Sequence, residues 1–388
     1  MNQDYQIKAR ARTIFDGYRG MLYNGKKYQL AVGPHGCRAA NGDLLLVFLT
    51  GEKTEPAPDN CMAFLRSCDD GRTWSDATMF LPARGDENSQ ITSINEVDGR
   101  LIADGAYWPY GDSYLTRRKF VMESDDNGYT WSEPHFYEAA MPGGGNLSPQ
   151  WRWYSKRYGC TLAGCYYNRK RPVPLKGDVM ALRNAKTEEE ALEISAHAVG
   201  EENPAPPLPS LLENRMGCGV ARLSDDYREV EWLGGVENRP LGLLEPTCIE
   251  LTDGRLVMYM RAELDGFLWR TESADGGHTW KDAWRTDIPN PSTQPYLYRL
   301  RDGRILLAHN ACGKPGVQDL RNRLSVWISD DELDSFYIQE DILVESGSSL
   351  SYPFVMETGD GRVLLFYDKT AWARYTIEMV ELDIPPRR

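Results

Sequence analysis

The chain has 388 residues, 41% of them hydrophobic, with 35 Gly and 23 Pro: enough to bury a large core and too apolar for a disordered chain. Fifty-seven acidic against 44 basic residues give a net charge of −13, which repels phosphate backbones and anionic bilayers, so neither nucleic acid nor membrane is an expected partner. No run of about 18 apolar residues marks a spanning helix. The opening MNQDYQIKAR lacks the basic-then-apolar pattern of an export signal, and eight cysteines without a CxxC pair read as free thiols. The expected compartment is therefore cytoplasmic, or exported if a signal peptide has been removed.

Residues 5–15 form a first strand candidate with no obvious neighbour in sequence. Residues 30–38 (LAVGPHGCR) read as a strand and lead through Asn41-Gly42 into LLLVFL. Equivalent turns recur at Asp98-Gly99, Asp253-Gly254, Asp302-Gly303 and Asp360-Gly361, with a weaker one at Gly159, each followed by an apolar run. Interleaved with them, SCDDGRTW (67–74), SDDNGYTW (124–131) and SADGGHTW (273–280) share the pattern Ser-x-Asp-x-Gly-x-Thr-Trp. Its physical sense is a tight turn: the Asp accepts from turn amides, the Gly supplies positive φ and the Trp packs between layers. Ser224 and Ser329 open copies that keep only the first half.

The turn glycines 42, 99 and 159 are 57 and 60 residues apart, and 254, 303 and 361 are 49 and 58 apart. Each unit therefore holds about four short strands, the size of a propeller blade. Between Gly159 and Gly254, strands are predicted at 178–183, 193–197, 219–223 and 230–234. A short helix at 186–194 and a Pro-rich loop at 201–212 complete that stretch. This suits one blade with an insertion at about 184–216. The fold class is all-β: a six-bladed β-propeller of four-stranded antiparallel blades, with seven blades as the alternative. The chain forms one domain, 1–388, in which residues 5–15 complete the last blade.

The turn series, together with EPTCIELTDGRLVMYMR at 245–261, resembles the sialidase (neuraminidase) superfamily over essentially the whole chain. The resemblance implies a six-bladed propeller and an exo-acting glycosidase that removes a terminal acidic sugar such as sialic acid with retention. It further implies Tyr352 (in SLSYPFV) as nucleophile, Glu245 as its base and Asp59 as acid/base on the loop 52–61, with Glu52 and Glu55 as rivals. Arg261 and Arg323 correspond to carboxylate-clamp arginines, Arg321 being the alternative to Arg323. The family's first clamp arginine has no counterpart: the strand that should carry it reads LAVGPHGCR, with His35 near the expected place and Arg38 closer to the turn. Trp108, beside Tyr107 and Tyr110, is a candidate sugar-stacking platform, and Arg152 (in QWRWY) a candidate ligand contact. No His or Cys has metal-ligand spacing, so no metal or cofactor is expected. The expected partner is a terminal glycan or oligosaccharide.

Two other readings keep the fold. His35 is compatible with a rhamnosidase, an arabinan hydrolase or a uronate lyase that relies on a pocket histidine. A propeller that binds glycans without turning them over is the third.

Overall fold

In a computed structural model, residues 6–55, 57–109, 117–138, 146–170, 181, 188–198, 214–225, 227–237, 242–263, 265–312 and 321–387 are described. After β1 (Lys8–Asp16) and the small hairpin β2 (Met21–Tyr23) and β3 (Lys26–Tyr28), the strands fall into six four-stranded sheets. Blade one is β4 (Val32–Arg38), β5 (Leu44–Thr50), β6 (Cys61–Ser67) and β7 (Thr78–Leu81). Blade two is β8 (Glu87–Val97), β9 (Arg100–Pro109), β10 (Arg118–Ser124) and β11 (His135–Tyr137). Blade three is β12 (Asn146–Ser155), β13 (Cys160–Lys170), β14 (Asn214–Leu223) and β15 (Val230–Glu237). Blade four is β16 (Leu243–Glu250), β17 (Leu256–Ala262), β18 (Phe267–Ser273) and β19 (Trp284–Pro289). Blade five is β20 (Tyr296–Arg299), β21 (Ile305–His309), β22 (Arg323–Ser329) and β23 (Ile338–Val344). Blade six is β24 (Ser348–Glu357), β25 (Val363–Ala371) and β26 (Arg374–Asp383), and it takes β1 as its outer strand.

That last pairing, Lys8↔Asp383 through Asp16↔Thr376, ties the first strand to the last and covers an edge that would otherwise be open. The second strand of each blade lies between its own sheet and the neighbouring blades. Every residue of LLLVFLT in β5 and of LVMYMRA in β17 is accordingly buried. Each large apolar side chain so enclosed contributes about 1.5–3 kcal/mol. One core cluster joins Leu44 and Leu46 of blade one to Leu364 and Phe366 of blade six, so burial as well as hydrogen bonding closes the ring.

The repeated turns sit between the third and fourth strands. Ser67 Oγ donates to Asp69 (2.8 Å) and accepts from the Gly71 amide (2.8 Å), while Asp69 accepts from the Thr73 amide and hydroxyl. These bonds, the Thr73 hydroxyl's first, pull the Asp69 carboxyl down to about 2. Gly71 has φ +80°, and a Cβ there would meet Leu364 at 2.6 Å. Trp74 packs edge-on against Phe366 of the next blade, 5.6 Å between ring centroids. The copy at Ser329 is fuller than its sequence suggests. Leu333 takes the left-handed place of the glycine (φ 68°), and Ser335 supplies the bonds that threonine makes elsewhere.

The stretch between Gly159 and Gly254 needs two corrections. Of the strand expected at 178–183, residue 181 is helical and the rest lies outside the described residues. Residues 193–197, expected as a strand, lie inside helix α1 (Glu188–Ala198), which runs four residues beyond the predicted helical end. Its sequence, EEEALEISAHA, is rich in helix formers, and they carry the helix through the short β-branched signal. The Pro-rich loop 201–212 and most of the expected insertion lie outside the described residues.

Candidate active site

Strand register defines two ends of the propeller. In blade one, Arg38 pairs with Leu44 at the end that carries the repeated turns; Val32 with Leu49 and Thr50 with Cys61 mark the opposite, loop end. The first strands of blades one, four and six share a device near the loop end. Gly33, Glu245 and Tyr352 each precede a proline, each has left-handed backbone (φ 62°, 45° and 51°), and at each the pairing with the second strand slips. Proline has no N–H to give the ladder, so the strand bulges and re-aims the preceding residue. Holding a non-glycine residue there costs roughly 1–2 kcal/mol, a strain that tends to persist where function needs it.

In blade four, Leu244 pairs with Arg261, so Glu245 and Arg261 stand at the same end of one hairpin. Arg261 is 6% exposed. It donates to Glu245 (2.6 Å), to Glu263 (3.1 Å) and through Nε to Ser292 Oγ (2.9 Å). Burial disfavours its charge, but Glu245, Tyr352 and Glu263 outweigh that and hold the guanidinium firmly cationic.

Tyr352, from blade six, meets this cluster electrostatically. The Glu245 carboxylate, then burial, raises its phenol above the ordinary value of 10, while Arg261 and Arg321 act in the opposite direction. Arg321 lies 5.9 Å from the Tyr352 ring centroid and donates to the Ser292 carbonyl (2.7 Å).

Glu55 completes the rim. It is exposed on the loop between β5 and β6, yet surrounded by protein atoms. That desolvation, with like charge from Glu245, pushes its carboxyl up to about 7 against the pull of Arg117, Arg261 and Arg321. Arg117 comes from the loop before β10, donates to the Tyr166 hydroxyl (2.9 Å) and lies 4.8 Å over the Trp108 ring. Asp368, opposite Ser351 on β25, is likewise pushed up to about 7 by burial.

The structure thus brings Glu245, Arg261, Tyr352 and Arg321 together at one end, with Trp108 half-buried on blade two at the same end. It does not bring Asp59, Arg323, Arg38 or His35 into that group. Asp59 accepts from the Glu52 amide (2.8 Å) and lies 3.5 Å from Lys26, pinning the loop whose tip carries Glu55. The carboxylate facing the charged rim is therefore Glu55. Arg323 begins β22 pointing outward, 45% exposed and paired with Asp341 (2.6 Å). Arg38 is at the turn end, bonded to Asp70 (2.8 Å). His35 is buried on the axis, with Nδ1 3.0 Å from the Gly33 carbonyl and its ring edge-on to Trp151. Burial depresses it to about 4, so it is neutral.

His35 lines an axial cavity of about 170 Å³ together with Ser93, Glu96, Trp151, Tyr296 and Phe354. That is smaller than the usual ligand site, and none of the rim residues borders it. Arg152 is buried there in an ion pair with Asp104. Arg117, Glu263 and Asp368 had no sequence signal. The shared residue-Pro pair at 33–34, 245–246 and 352–353 was a readable sign that Gly33 occupies an equivalent place.

Residues 206–365 match the family model described as BNR repeat-like domain. No curated protein matches the chain in sequence. Among solved structures, a protein of unknown function from Dyadobacter fermentans is 17% identical with TM-score 0.66, over 96% of this chain and 99% of that one. Trypanosoma rangeli sialidase is 14% identical with TM-score 0.65, over 96% of this chain and 59% of its own. A K499G mutant of NanB sialidase from Streptococcus pneumoniae is 12% identical with TM-score 0.63, over 91% and 68%. This chain thus spans well under two thirds of the Trypanosoma enzyme, and what is shared at such identity is the fold. Residues 206–365 carry the BNR repeat-like match, and in architecture the chain is a six-bladed β-propeller with the fold of these sialidases.

Proposed function

We propose that the protein is a retaining exo-glycosidase acting on a terminal sugar that carries a carboxylate, sialic acid being the first candidate. The observation that carries this reading is the coupling of Tyr352 to Glu245, Arg261 and Arg321 at the loop end of three blades. A phenol beside a carboxylate keeps its proton at rest and has a base in place to receive it when it attacks. In the first step, Tyr352 Oη bonds to the anomeric carbon as its proton passes to Glu245, and Glu55 protonates the departing glycosidic oxygen. In the second, Glu55 takes a proton from water, which attacks the anomeric carbon. The bond to Tyr352 breaks, and Glu245 returns the phenol proton. Two displacements give retention.

Arg261 is already engaged by Glu245, Glu263 and Ser292, so Arg321 is the cation better placed to meet a substrate carboxylate. The neutral, buried His35 lends no comparable support to a histidine-based reaction. Proton NMR of a sialoside digest tests the proposal: the α-anomer appears first if it holds. Release of the β-anomer first contradicts it.

A further inference from the structure

Blade one departs from the pattern of blades four and six. Where those project Glu245 and Tyr352 from the residue-Pro bulge, blade one has Gly33 and projects no side chain. A Cβ built on Gly33 meets no described atom within 4 Å, so the space beside the bulge is open. The glycine itself is held on both sides. Its N–H donates to Asp368 Oδ2 (2.8 Å), and its carbonyl is 3.0 Å from His35 Nδ1.

Asp368 is 4% exposed. Among the described residues, the Gly33 amide is its one hydrogen-bond donor, and no cation pairs with it. Buried carboxylates are ordinarily paired or fully hydrogen-bonded, so an acceptor oxygen with no protein partner beside an open recess awaits a donor. The charged groups that act on it are Arg321, favourably, and Glu55, unfavourably.

We infer that the recess built by Gly33 and Asp368 receives a hydrogen-bond-donating substituent of the bound sugar, a hydroxyl or an ammonium. This rests on the reading of the rim as a sugar site. A substrate carboxylate finds no cation on this wall among the described residues and faces Arg321 instead, which fixes the sugar's orientation in the pocket.

Calorimetric titration with N-acetylneuraminic acid, glucosamine and glucose tests the assignment on wild type, Asp368→Asn and Gly33→Asn. Asparagine at 368 retains an acceptor for the Gly33 amide but loses the charge. Asparagine at 33 tolerates left-handed backbone and fills the recess. Each variant, shown by a cooperative melt to be folded at the titration temperature, is expected to bind the probes roughly tenfold more weakly, the loss of one charge-assisted hydrogen bond. A larger Asp368→Asn effect on glucosamine than on glucose identifies an ammonium, and equal effects identify a hydroxyl. Wild-type affinity in both folded variants overturns the inference, as does failure of wild type to bind any of the three. The Tyr352→Phe variant separates this from the chemistry. If the catalytic proposal fails while the recess holds, Tyr352→Phe turns over as wild type does and binding remains sensitive to Asp368.

Discussion

Glu245 of blade four is the strongest influence on the proton of Tyr352 in blade six, although 107 residues separate them in the chain. The same carboxylate is bonded to Arg261, so base, cation and phenol form one electrostatic unit. Groups that act as a unit lose activity non-additively. Tyr352→Phe and Glu245→Gln are each expected to lower kcat about a thousandfold, the double variant being no worse than Tyr352→Phe alone. Steady-state kinetics check this; losses that multiply would mean independent roles.

Glu55, raised to about 7, must be protonated to serve as the acid. Activity is therefore lost as pH rises through about 7, and Glu55→Gln abolishes that limb of the kcat/KM profile at a cost of about 10²–10⁴-fold on substrates with poor leaving groups. Asp59→Asn keeps the limb, because Asp59 acts on the loop through the Glu52 amide. A limb that disappears with Asp59→Asn instead would return the acid role to Asp59.

The two neighbouring arginines differ in consequence. Arg321→Ala is expected to lower kcat/KM on an acidic glycoside up to about a hundredfold, mostly through KM. Arg323→Ala removes an exposed pair with Asp341 and is expected to change little. Michaelis parameters for both variants decide between them.

Asp368 links pH to stability. Its folded value near 7 stands above the ordinary 3.8, so the folded state holds a proton that the unfolded chain releases. The stabilisation is fully present below about 3.8 and is lost as pH rises through about 7. Asp368→Asn is expected to narrow the difference in melting temperature between about pH 5 and pH 8. An unchanged difference would show that Asp368 is already ionised in the folded protein.

The architecture was legible because it is written in repeats: hairpin turns at blade intervals and a first strand left to close the last sheet. Glu245 and Arg261 were legible because a hairpin brings the start of one strand to the end of the next. Arg321 and Arg323 could not be told apart that way. Alternation assigns faces only within a strand, and Arg321 precedes β22, its guanidinium reaching the Ser292 carbonyl. Glu55 and Asp59 share a loop whose path is set by the Asn60 side chain, which caps Ala57 and Thr54, and no periodicity encodes that. The buried setting of Asp368 arises from blade six meeting blade one, a contact between the chain's two ends.

Trapping the covalent intermediate is the most direct test of the account. After incubation with 2,3-difluorosialic acid, peptide mass spectrometry is expected to find the glycosyl adduct on the peptide containing Tyr352, and none in Tyr352→Phe. An adduct on another residue, or sialoside turnover by Tyr352→Phe at the wild-type rate, would contradict it.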